Sequence, residues 1–125
     1  MHRLAALVVA ALGLSPLLAA AQAATKSSFI LCTLTDTGRT PAQVWASPVF
    51  EFVAPVHDME LLNRLAGEFH RHVAGFGGAG DKSCVALATR AEADVFREEQ
   101  RALWDKRMYF IKVGNWHDVA WTPSP

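Results

Sequence analysis

The chain carries no surplus of charge: 12 Lys and Arg are balanced by 12 Asp and Glu over 125 residues. Nucleic-acid binding relies on clustered Lys and Arg that displace counterions, so a neutral chain has no such handle. From the same balance no basic membrane-surface patch is expected, and membrane contact is expected only through a transient amino-terminal segment. Catalytic signatures are missing too. Neither Ser47 nor Ser83 stands in G-x-S-x-G, which removes a nucleophile elbow. Asp94, Glu98 and Glu99 alternate with Arg97 and Arg101 and read as an ion-paired helix surface, not as a carboxylate pair with one acid in an apolar cleft. No internal repeat is present, and cysteine is confined to Cys32 and Cys84.

What the chain does have begins at its amino terminus. Met1-His2-Arg3 precedes an apolar run from Leu4 to Ala21, and Ala21-Gln22-Ala23 follows. A basic start, a hydrophobic middle and a small-x-small site make the three-part pattern of a secretory signal peptide cleaved after Ala23. Gly13 and Pro16 interrupt the run and no basic stop-transfer cluster follows, so cleavage is favoured over a retained anchor. No twin-arginine pair precedes it, and Cys32 lies too far from the cleavage site for a lipid anchor. The expected address is periplasmic or secreted. Residues 24–125 then form one small domain; losing Arg3 leaves 11 basic against 12 acidic side chains, a formal charge of −1. In an oxidising compartment Cys32 and Cys84 are expected to form one disulfide. Closing a loop of about 50 residues contributes up to about 4 kcal/mol in the chain-entropy description.

Along that domain, Phe29 to Leu34 reads as a strand and Thr35 to Pro41 as a turn. A second strand is expected from Val44 to Val53, at an edge or bulged at Pro48, which cannot donate to a ladder. Asp58 caps a helix whose apolar positions Leu61, Leu62, Leu65, Phe69, Val73 and Phe76 make one stripe; Gly75 and Gly77 end it. Cys84 to Leu87 is a short strand. Thr89-x-x-Glu92 is a capping box that opens a second helix. From there two continuations are open: a helix running on through Ile111 to a Gly114 cap, or a hairpin turning at Gly114-Asn115. The long helix followed by a strand from Trp116 to Trp121 is preferred. The expected architecture is α+β, a small, mainly antiparallel sheet in the order β-β-α-β-α-β with both helices on one face and a short disordered tail after Trp121.

Gly75-Phe76-Gly77-Gly78-Ala79-Gly80 matches G-x-G-x-x-G, but a dinucleotide fingerprint must follow a strand and open a helix, and here the order is reversed. Asp81 also displaces Lys82-Ser83 from the register of a phosphate loop. No cofactor is expected. His70 and His72 point about 200° apart around a helix and cannot share one ion; Glu68 and His72, with His57 or His117, fall short of an arguable metal set. Trp45, Trp104, Trp116 and Trp121 are many for so small a domain, serving as core bulk or as a stacking platform for a sugar or partner. Trp104 is expected in the core, Trp45 and Trp116 fit either use, and Trp116-His117-Asp118 is the candidate surface cluster.

The strings Ser47-Pro48-Val49-Phe50-Glu51, Phe69-His70 with Val73, Cys84 before Thr89-Arg90-Ala91-Glu92-Ala93, and Trp121-Thr122-Pro123 resemble a family of small exported, uncharacterised proteins of Gram-negative bacteria. The resemblance implies a compact exported domain with no catalytic residues. Ala88 to Leu103 is similar to peptidoglycan-binding domains of the sporulation-related repeat type. The expected function is therefore that of a non-enzymatic envelope protein that binds another envelope or secreted protein, in the manner of an inhibitor or immunity protein. Its binding surface is expected at Trp45, Gly77, Gly78, Asp81, Lys82, Trp116 and His117, with the loop Gly75 to Ser83 protruding. The alternative is a peptidoglycan-binding module using exposed tryptophans; a hydrolase built on Glu68, His72 and His117 ranks third.

Overall fold

The computed structural model describes residues 26–124, so the expected signal peptide over residues 1–23 lies outside the described residues. The central element is β1 (Ser28–Asp36). Its run of apolar and β-branched residues suits a strand covered on both faces: Ile30, Cys32 and Leu34 are buried on one face and Leu31 on the other. An Asp36 side chain that accepts from the Gly38 amide and pairs with Arg39 starts the turn that follows.

The strand expected over residues 44–53 is two segments, β2 (Ala42–Ala46) and β3 (Phe50–Phe52), lying end to end along one edge of β1. Thr33 pairs with Ala46 and Ile30 with Phe50, so Leu31 and Cys32 face three residues, Ser47-Pro48-Val49. That is a one-residue bulge around the proline that has no N–H to give. Ser47 closes the gap: its amide donates to the Cys32 carbonyl and its Oγ accepts from the Cys32 amide, each at 2.9 Å.

Helix α1 (Met59–Ala74) follows, with Asp58 accepting from the Leu61 amide at its start. It buries Leu62, Leu65, Ala66, Phe69 and Val73 against Ile30, Cys32, Leu34, Trp45 and Phe50. The chain then enters β4 (Asp81–Leu87), antiparallel on the other edge of β1. Cys32 and Cys84 stand directly opposite in that register and form the disulfide. Helix α2 (Arg90–Trp104) opens on Thr89, whose hydroxyl accepts from the Glu92 amide.

Three expectations about this architecture are corrected. The sheet is mixed, because β7 (Gly114–Asp118) runs parallel to β2 at the far edge. Its lateral order is β4, β1, the β2–β3 ribbon, then β7. The helices lie on opposite faces: α1 covers the Ile30–Cys32–Leu34 face, while Arg90 and Arg97 of α2 lie over Phe29 and Trp116 on the other. The connection from β3 to β4 crosses β1 in one lateral direction and that from β4 to β7 returns in the other. Two crossovers of the same hand must then use opposite faces. The class remains α+β.

The third correction concerns the end of α2. The helix stops at Trp104 rather than continuing to Gly114, and residues 107–112 form a hairpin of β5 (Arg107–Met108) and β6 (Ile111–Lys112) that turns at Tyr109-Phe110. Aromatic and β-branched residues have weak helix propensity and favour extended pairing. Gly114 enters the sheet against Trp104, where an added Cβ would lie 2.8 Å from the indole. The last strand therefore begins and ends earlier than expected; after Asp118 one further bond, Val119 N–H to the Ala46 carbonyl, precedes a tight turn that brings Trp121 onto Phe50 and Phe69.

Candidate functional site

The β5–β6 hairpin forms a small sheet separate from the main one. Its tip, Met108-Tyr109-Phe110-Ile111, is the most exposed apolar segment described: Tyr109 and Phe110 are 90% and 94% exposed, Met108 and Ile111 62% and 56%. Both turn residues have positive φ, 52° at Tyr109 and 70° at Phe110. A two-residue turn with both central residues in the left-handed region matches the twist of the flanking strands, and Asn-Gly is its preferred pair. Two aromatic residues there are strained, and such strain often marks function. Both rings are left almost wholly uncovered by the rest of the domain.

The hairpin is held at its base. Val113 N–H donates to the Lys106 carbonyl at 2.8 Å, and Lys112 Nζ pairs with Asp105 at 2.8 Å. The hydrogen bond from Lys112, followed by its charge, holds the Asp105 carboxyl below the ordinary carboxylate value. Arg107 Nη1 donates to the Phe110 carbonyl across the turn. Residues 105–113 thus carry Lys106, Arg107 and Lys112 against the single carboxylate of Asp105. Cations flank an apolar tip on both strands.

The residues expected to form the binding surface are distributed differently. Lys82, Leu34, Trp45 and His117 form one row across the sheet. Trp45 is only 8% exposed and stacks on His117 at 5.4 Å, and the Gln43 side-chain oxygen accepts from His117 Nε2 at 2.7 Å. Gly78 is buried beneath them, where a Cβ would clash with Val73. Gly77, Asp81 and Lys82 are exposed.

The segment Gly75 to Ser83, expected as one protruding loop, begins as a folded-back helix end, its Gly75, Gly77 and Gly78 amides bonded to the last turn of α1, and ends in β4, where Asp81 to Ser83 pair with β1. Trp116 is on the opposite face, under Arg97, with its indole N–H donating to Asp118. Trp104 and Trp121 are half-buried, so none of the four tryptophans is an exposed platform. His72 meets Phe76 and Trp121, whereas His117 meets Trp45 and Gln43. Among the described residues no group of three metal-ligating side chains converges, and no helix is long and apolar enough to cross a membrane.

Comparison with protein families, with curated proteins and with solved structures finds no match. The hairpin itself was overlooked by reasoning from the residue pattern. The signal present was Lys106-Arg107-Met108-Tyr109-Phe110-Ile111-Lys112, a contiguous apolar block between cations, where a helix would have alternated its faces. Tyr-Phe is no turn pair, so nothing local announced a reversal there.

Proposed function

We propose that the protein is an exported, non-enzymatic binding domain of the cell envelope, and that the β5–β6 hairpin is its binding element. One observation carries this reading: two adjacent aromatic side chains, almost wholly exposed, are presented on a strained turn. Exposed apolar patches of this kind mark interaction sites. Complete burial of Met108, Phe110 or Ile111 contributes about 1.5–3 kcal/mol each. Against an association cost of about 4 kcal/mol or more, the tip supports modest affinity and needs help from its cations. The paired Cys32 and Cys84 are compatible with the oxidising compartment that export would supply. Stacking of glycan on tryptophan has no exposed ring to support it.

The test is retention on a total envelope preparation containing both membranes and their proteins. Tyr109→Ser with Phe110→Ser changes only exposed side chains and is expected to keep the fold by circular dichroism while losing retention at least tenfold. Unchanged retention would remove the hairpin as the binding element. Fractionation, with the mature N-terminus read by mass spectrometry, tests export separately; an N-terminus at Ala24 is expected.

A further inference from the structure

We infer that the hairpin's acceptor is the surface of a lipid bilayer bearing anionic headgroups, an inference that rests on the hairpin being the binding element. Shape is the first argument. The tip is two residues wide at its turn and presents four exposed apolar side chains on a narrow projection. A bilayer accepts such a tip without shape complementarity. Chemistry is the second. Phe110, Met108 and Ile111 are purely apolar in function, whereas Tyr109 adds one hydroxyl on a rigid ring, the combination that settles at the boundary between headgroups and acyl chains. Charge complementarity is the third. Lys106 and Arg107 precede the tip and Lys112 follows it, so insertion of the tip brings cations from both strands to headgroup depth. Within residues 105–113 only Asp105 opposes them, and it is paired with Lys112 at the hairpin base.

The neutral total charge does not conflict with this. It averages over the whole chain, while attraction to a charged surface acts within a Debye length of about 10 Å. The strain at Tyr109 and Phe110 has a use here, because the left-handed turn holds two large rings next to each other at the tip, both almost wholly exposed. The main domain stays outside the bilayer, anchored to the hairpin through Asp105, Val113 and Gly114.

The experiment is co-sedimentation of the protein recovered from the exporting host with vesicles of phosphatidylglycerol and phosphatidylethanolamine, and with vesicles of phosphatidylcholine alone. Binding is expected to the anionic vesicles, weakened at least tenfold by Tyr109→Ser with Phe110→Ser. Lys106→Gln and Arg107→Gln are each expected to weaken it about fivefold. Phe76→Ser, which removes an exposed ring elsewhere, should leave binding unchanged. A Phe110→Trp variant should gain a fluorescence component that brominated acyl chains quench, which places the tip itself in the bilayer whatever the rest of the chain does. Binding that ignores the tip variants, or that is equal on neutral vesicles, overturns the inference. If vesicles are not bound while the serine pair still abolishes envelope retention, the acceptor is a protein: the bilayer assignment fails and the hairpin reading stands. Loss of neither removes both.

Discussion

At the residue scale, the turn at Tyr109-Phe110 sets local stability against exposure of the tip. A left-handed conformation costs an L-residue about 1–2 kcal/mol, a cost that glycine escapes and asparagine tolerates. Tyr109→Asn with Phe110→Gly installs the preferred pair for this turn. Amide exchange across Arg107–Lys112 is expected to slow by about tenfold or more, as relief of that strain predicts, while envelope retention is lost. A variant that is stabler and inactive would separate the two demands on these positions; one that exchanges faster would show that the rings hold the hairpin together. Legibility at this scale was mixed. The capping roles of Asp58 and Thr89 were readable because a cap is a matter of one side chain and an amide three residues away. The burial of Trp45 and Gly78 was not, since Trp45 is covered by His117 and Gly78 packs against Trp45, both remote in the chain.

At the scale of elements, α2 is the helix least dependent on apolar burial, with Ala93 its one fully buried residue. Arg97 compensates. Its Nε donates to the Ser47 carbonyl at 3.0 Å, its Nη2 to Asp118 at 2.7 Å, and its guanidinium lies 5.6 Å from the Trp116 ring centre. One side chain thus ties α2 to the bulge and to β7. Arg97→Ala is expected to cost about 1.5–3 kcal/mol, the range for hydrogen bonds from a charged group, measured by urea unfolding. Arg97→Lys should recover little, because an ammonium cannot divide its donors between two acceptors and lie over the ring as well.

The same cluster predicts a pH dependence. Hydrogen bonds from Arg97 and then from Trp116 hold the Asp118 carboxyl below its ordinary value. A carboxylate with a lowered folded pKa contributes stability that is complete above the unfolded value of about 3.9 and is lost as pH falls through the folded one. The unfolding midpoint of wild type should therefore approach that of Asp118→Asn as pH falls from 5 to 2. A constant difference between the two over that range would show that the Asp118 charge does not contribute.

For the whole molecule, the disulfide joins the central strand to an edge strand and encloses the bulge, α1 and the glycine loop between residues 52 positions apart. Replacing both cysteines by alanine is expected to cost up to about 4 kcal/mol, read from the denaturation midpoint of the variant against the oxidised protein. The loss should fall on folding as a whole and leave vesicle binding of the folded fraction unchanged, because the hairpin hangs from α2 and β7 at the other end of the sheet order. Tip function and global stability would then separate cleanly.

By itself the sequence determined the elements whose cause is local: β1 from its unbroken apolar run, α1 from its 3.6-residue stripe and cap, the start of α2, and the interruption at Pro48. It also determined the disulfide, since two cysteines allow one pairing. Tertiary structure decided the rest. Whether β7 pairs parallel to β2, and on which face each helix lies, depends on which edge a returning strand finds and on the hand of its crossover. It decided the fate of Met108 to Ile111 too. An apolar run reads alike whether a core covers it or not; here Gly114 joins the sheet edge and the preceding hairpin is left outside, so Tyr109 and Phe110, expected within a continuing helix, are the most exposed large apolar residues described.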